Sequence, residues 1–131
     1  MYEHPNVMLL REGYAAFAKG DLDYIREHSF APGVVFHVPG HNPLSGVYSG
    51  IEEVFGFFGR LFETTGGTFA VEPFDILASN FHGVVLVNAR GEREGRVLEQ
   101  RAVHVYRIAD GRVVECWNYF DDLDATDAFF S

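Results

Sequence analysis

One cysteine, Cys116, among 131 residues excludes an internal disulfide and any metal site built from several thiolates. Basic residues are also scarce. Ten Lys and Arg face nineteen Asp and Glu, a formal charge of −9, so a polyanion such as nucleic acid or an anionic membrane surface would be repelled. No apolar run is long enough to span a bilayer, and no signal-like N-terminus is evident. These absences give the expectation of a soluble cytoplasmic protein with neither nucleic acid nor membrane as a partner. The six histidines are scattered, and no His-x-His or His-x-x-x-His pair has a carboxylate close by in sequence, so no metal is expected. No Gly-rich phosphate loop follows a strand and no nucleophile elbow occurs, which leaves chemistry without a cofactor.

Apolar residues are abundant: 47% are hydrophobic and 15% aromatic, with thirteen phenylalanines. That supplies one core and leaves aromatic surface for a cavity or an interface. Residues 1–131 suit a single domain, which removes roughly two-thirds of the unfolded chain's surface from water.

The N-terminal half has helical spacing. Val7, Leu10, Tyr14 and Phe17 recur on one face after Pro5, and Gly20 offers a stop. Asp21 caps a short second helix carrying Leu22 and Ile25, which Pro32 and Gly33 would end, and Val34–Val38 reads as a buried strand. The stretch Phe36–Gly50 then reads as an irregular loop punctuated by Pro39, Gly40, Pro43 and Gly46. It is either a solvated connection or the mouth of a pocket. Ser49 and Glu52 have capping-box spacing before a helix carrying Ile51, Val54, Phe55, Phe58, Leu61 and Phe62. Burying those six is worth about 10 kcal/mol gross, at roughly 1.5–3 kcal/mol each. Gly66 and Gly67 end the helix.

The second half changes to strand periodicity, near Thr68–Ile76, Phe81–Arg90, Arg96–Ile108 and Arg112–Phe120. A meander joins them most economically, with Gly91–Gly95 a hairpin tip, Asp110-Gly111 a tight turn, and Pro73 marking a bulge or an edge. Leu98, Gln100, Ala102, His104, Tyr106 and Ile108 alternate with a set carrying three charges, so the first set is assigned to the inner face. On the last strand, Val114, Cys116, Asn118 and Phe120 are placed inside. Trp117 and Tyr119 are left outside, where their rings suit a homodimer interface. His37 alternates away from Phe36 and Val38 and is expected outside. The tail after Asp121 forms a short terminal helix or lid.

Three stretches together, Tyr14–Asp23, His37–Gly50 and Val103–Trp117, resemble the nuclear transport factor 2-like superfamily, SnoaL-like branch, across nearly the whole chain. The resemblance implies an α+β fold: a cone-shaped, curved mixed sheet wrapped around three N-terminal helices, enclosing a hydrophobic pocket, with dimerisation through the outer sheet face. It specifies activity poorly, because such folds serve isomerases, cyclases, epoxide hydrolases, dehydratases and binding proteins. The steroid-isomerase base position falls at Val38, its tyrosine at Gly13 and its second aspartate at His104. The epoxide-hydrolase Arg-x-Asp pair falls at Ala102 and His104. In SnoaL-like polyketide cyclases a histidine on the penultimate strand matches His104. Their acid falls near Asn118, with Asp121 three residues on.

His104 is the leading acid or base, since imidazole titrates near neutrality; the alternative is a core histidine paired with Gln100 or a backbone carbonyl. Asn118 and Tyr14 would orient or polarise a ligand carbonyl, or only pack, and Asp121 is either a further acid or a helix cap. Phe17, Phe36, Val38, Phe55 and Phe58 would form apolar walls. Gln100, Tyr106, Cys116 and Phe120 face them from the sheet, and His41, beside Asn42, gates the mouth. The leading expectation is a cofactor-independent isomerase or cyclase that moves a proton on a small hydrophobic, cyclic, carbonyl-bearing molecule. The alternative is a binding protein of the same fold without turnover.

Overall fold

The computed structural model describes residues 3–131. Helix α1 (Pro5–Lys19) begins at His4, whose ring accepts from the Asn6 amide, and stops where Gly20 turns left-handed. Asp21 caps α2 (Leu22–Tyr24) by accepting from the Tyr24 amide, and the chain continues as a π-helical turn, Ile25–Ser29. Pro32 and Gly33 do not end that helix. Strand β1 (Phe30–Val38) has already begun, and both residues lie where its register with β6 is irregular.

The stretch expected to be irregular contains strand β2 (Gly46–Ser49), antiparallel to β1. Helix α3 (Ile51–Thr64) follows. Its cap is Gly50, and the Ser49 amide donates to Glu53 rather than Glu52, which pairs with Arg26 across the surface. The buried face of α3 is Ile51, Val54, Phe57, Phe58 and Leu61. Phe57 is buried because β2 covers that side, with Tyr48 stacked on its ring at 4.8 Å.

The meander follows as β3 (Ala70–Ala78), β4 (His82–Arg93), β5 (Arg96–Ala109) and β6 (Arg112–Phe120), then helix α4 (Leu123–Phe130). The six strands form one curved, unclosed sheet in the order β2-β1-β6-β5-β4-β3, mixed because β1 runs parallel to β6. Pro73 lies on the edge strand beside a register shift. The β4–β5 turn is shorter than expected, Glu94-Gly95, with Gly91 inside the strand; Asp110-Gly111 makes the next turn. The helices lie in the concavity of the sheet, and the core runs from Leu10 and Ile25 through Val54 and Phe58 to Val85, Val87 and Ile108. Among the described residues no helix is long and apolar enough to cross a membrane.

The inner face of β5 is the one its alternation indicates: Leu98, Ala102, Tyr106 and Ile108 are buried. On β6 the alternation is interrupted. Ile108 pairs with Val113 but Arg107 with Glu115, so Val114 is the extra residue of a bulge. Val113, not Val114, therefore points inward, while Cys116, Asn118 and Phe120 keep the expected side.

Candidate functional site

The concave side of the sheet, α1, α3 and α4 enclose a cavity of about 110 Å³. Phe17, Phe30, Phe36 and Phe58 form a connected aromatic wall, with ring centroids 5.0–6.4 Å apart along the chain of contacts. Val38, Phe69, Val71 and Phe120 add further apolar surface. Among the described residues no charged side chain lines the cavity. Its polar groups come from β5, β6, α1 and the covering segments.

His104, at the middle of β5, bonds through Nδ1 to the Tyr14 hydroxyl at 2.5 Å, and the two rings stack 6° from parallel. The Tyr14 hydroxyl also meets the Tyr106 hydroxyl at 2.6 Å, and Tyr106 in turn lies against the Cys116 thiol. Burial without a counter-charge pushes the imidazole pKa down to about 4, so His104 is neutral at physiological pH. The same burial pushes Tyr14 and Tyr106 well above the usual phenol range and raises the Cys116 thiol. The result is a chain of four neutral groups, Cys116, Tyr106, Tyr14 and His104, ending at the cavity.

Asn118 stands directly across from His104 in the β5–β6 ladder. Its Nδ2 donates to the His37 carbonyl at 2.9 Å. A carbonyl only accepts, so the amide nitrogen must face it, which occupies one of its two N–H donors. Tyr14 is likewise engaged at both ends of its hydroxyl. Gln100 donates to Thr126 Oγ1 at 2.5 Å and accepts from the Asp122 amide, which ties β5 to α4.

Four other assignments made from the sequence change. Asp121 is exposed and takes no part in the cavity; its amide donates to Arg101 O, and the α4 cap is Asp122. The His41 ring is exposed, whereas its backbone amide and the Asn42 side chain both donate to Asp127 on α4, at 2.9 and 2.7 Å. Phe55 lies off the cavity, half-buried with the Arg26 guanidinium 5.1 Å from its ring. Cys116 is fully buried behind Tyr106 and reaches the site only through it.

Sequence reasoning did not single out Ser29, Leu44, Thr126 or Phe130 as lining residues. Phe130 and Thr126 belong to the weak period of the tail, and only the α4 docking contacts bring them inward. Arg93 donates to the carbonyls of Phe129 and Ser131, and Arg96 to that of Ala128. A Cβ at Gly13 would lie 3.0 Å from Ser29 Oγ, so any larger residue there needs the serine side chain to give way. Among the described residues no three His, Cys, Asp or Glu side chains converge as metal ligands.

A curved mixed sheet folded over helices around an apolar cavity defines the nuclear transport factor 2-like class of small cone folds. The chain belongs to the SnoaL-like domain family, whose model matches residues 10–116. An uncharacterised protein of Mycobacterium tuberculosis is 33% identical over the full length of both chains. The structure of Bal32a, from a soil-derived mobile gene cassette, is 33% identical and superposes with a TM-score of 0.93 over 97% of each chain. An NTF2-like protein of unknown function from Burkholderia pseudomallei is 26% identical, with a TM-score of 0.86 over 98% of this chain and 99% of its own.

Proposed function

We propose that the protein binds a small, uncharged, largely apolar molecule of about one ring inside the cone, with its polar end at His104 and Asn118. The cavity carries this reading. Its 110 Å³ is of the order of the roughly 150 Å³ apolar cavity known to take benzene, and its lining holds no charge that could compensate a carboxylate or an ammonium group. Titration calorimetry with toluene tests it. Saturable binding that is lost in Phe58→Trp, which fills the cavity, is the expected result; no heat up to the solubility limit would refute it.

Turnover is a second reading, and one observation favours it: His104 reaches the cavity at the end of a hydrogen-bonded chain. A base with a pKa of about 4 is a weak acceptor of a carbon-bound proton at pH 7. The chemistry that suits it is proton transfer to or from an oxygen, as at the hydroxyl of an enol that already exists during a cyclisation. Exchange of the α-protons of cyclohexanone in D₂O no faster with the native protein than with His104→Gln would remove proton abstraction from the account.

The outer sheet face supports a homodimer reading. Val47 and Tyr119 are more than half exposed there, beside Trp117 stacked 5.3 Å from the His37 ring. Sedimentation showing only monomer at micromolar concentration would refute that assembly.

A further inference from the structure

The hydrogen bonds inside the cone leave a defined set of unused atoms. His104 spends Nδ1 on Tyr14, and its Nε2 has no partner among the described residues. Asn118 spends one N–H of Nδ2 on the His37 carbonyl, which fixes the orientation of its amide, and its Oδ1 has none. Among the described residues no sealed side-chain nitrogen or oxygen is left unbonded, and both residues line the cavity, so Nε2 and Oδ1 open into it. They belong to directly paired residues on β5 and β6. Side chains of a cross-strand pair leave Cβ atoms only about 4.5–5.5 Å apart, close enough for one ligand atom to meet both. The Ser29 hydroxyl is the other unpartnered polar group of the lining, but Phe30 pairs with Val113, which places it five residues down β6 from Asn118.

Asn118 Oδ1 can only accept. His104 Nε2 can do either, because the chain of hydroxyls behind it has two polarities. If Tyr14 donates to Nδ1 and accepts from Tyr106, Nε2 carries the proton and donates. If Nδ1 donates to Tyr14, Nε2 accepts. A ligand oxygen seated between Oδ1 and Nε2 must therefore donate to Asn118, and it can at the same time accept from His104.

We propose that the cone selects a neutral hydroxyl compound, a phenol or enol of one-ring size, whose O–H donates to Asn118 Oδ1 while its oxygen accepts from His104 Nε2. An ether or a simple ketone of the same shape leaves Oδ1 unpaired, and a carboxylate sets a negative charge against that oxygen. The inference rests on the binding reading above and adds to it the direction of the hydrogen bond.

Calorimetric titration of the unaltered protein with toluene, anisole, phenol and benzoate separates the two. The expected order is phenol at least tenfold tighter than anisole and no measurable benzoate binding, consistent with the discrimination that a buried, dedicated hydrogen-bonding site imposes. In Asn118→Leu, the preference for phenol over anisole should fall at least tenfold. If toluene binds but anisole matches phenol, the hydroxyl inference is overturned and the cavity reading stands; if none of the four binds, both fall. Benzoate binding as tightly as phenol would also overturn the inference. The ligand series needs no variant, so a failure of Asn118→Leu to fold does not remove the test.

Discussion

Replacing His104 with glutamine should change how stability depends on pH more than it changes stability itself. In the fold, burial lowers the imidazole pKa from 6.5 to about 4. The unfolded chain therefore binds the proton first as pH falls, and the folded state loses stability relative to it. His104's contribution is fully present above pH 6.5 and is lost progressively as pH falls toward 4. The gap amounts to about 3 kcal/mol, at roughly 1.4 kcal/mol per tenfold change in proton affinity. Glutamine keeps a polar group for Tyr14 but does not titrate. Urea unfolding of both proteins between pH 7.5 and 4 provides the assay. The native protein should lose about 3 kcal/mol more than His104→Gln across that range. Glu115 and Asp127, whose carboxyls are held low by His37 and Asn42, titrate in both proteins and cancel in the difference. Parallel curves, differing by a constant to within about 0.5 kcal/mol, would refute a buried neutral His104.

Two further perturbations probe the frame that holds the site. Thr65, nearly sealed, donates from Oγ1 to Leu61 O and accepts from the Phe69 amide, so Thr65→Val should cost about 1–3 kcal/mol in urea denaturation by leaving that amide unpaired. Gly40 has φ of 107°, and a Cβ there would run into the Asp127 carboxylate, so Gly40→Ala should unlatch the loop from α4. Faster hydrogen exchange at the His41 amide, with a stability loss of about 1–3 kcal/mol, is the expected outcome.

The parts of the fold that rest on local pattern were legible in the sequence. Gly20 as a stop, Asp21 as a cap, the meander and the inner face of β5 follow from spacing and turn chemistry that later packing does not alter. What escaped depends on partners distant in sequence. Phe57 is buried because β2, hidden in a Pro- and Gly-rich stretch, pairs with β1 and covers it. Val113 replaces Val114 because one bulge shifts the period, and alternation alone cannot register an added residue. At the site, His104 and Tyr14 could be singled out by type. Which atoms remain free could not, since one amide hydrogen of Asn118 is taken by a carbonyl brought alongside by the parallel β1–β6 pairing.

The absence of an acid from the cone is therefore more than a missing residue. The resemblance read from the sequence implies a cyclase-like acid near Asn118, so Asn118→Asp looks like a restoration. The surroundings oppose it. The atom replacing Nδ2 would face the His37 carbonyl, acceptor against acceptor, unless the carboxyl kept its proton and donated it. Burial among apolar side chains pushes in the same direction, raising the aspartate pKa above its unfolded value near 3.9. A group raised in this way supports the fold fully below the unfolded pKa and loses that support as pH rises through the folded one. Asn118→Asp should thus be about 1–3 kcal/mol less stable than the native protein at pH 7.5 and recover much of that difference at pH 4, opposite in sign to the change expected at His104. Equal stability at pH 7.5 would mean that the β6 position already accommodates a charge. The neutrality of the cavity would then owe nothing to the β1 carbonyl that holds the asparagine in place.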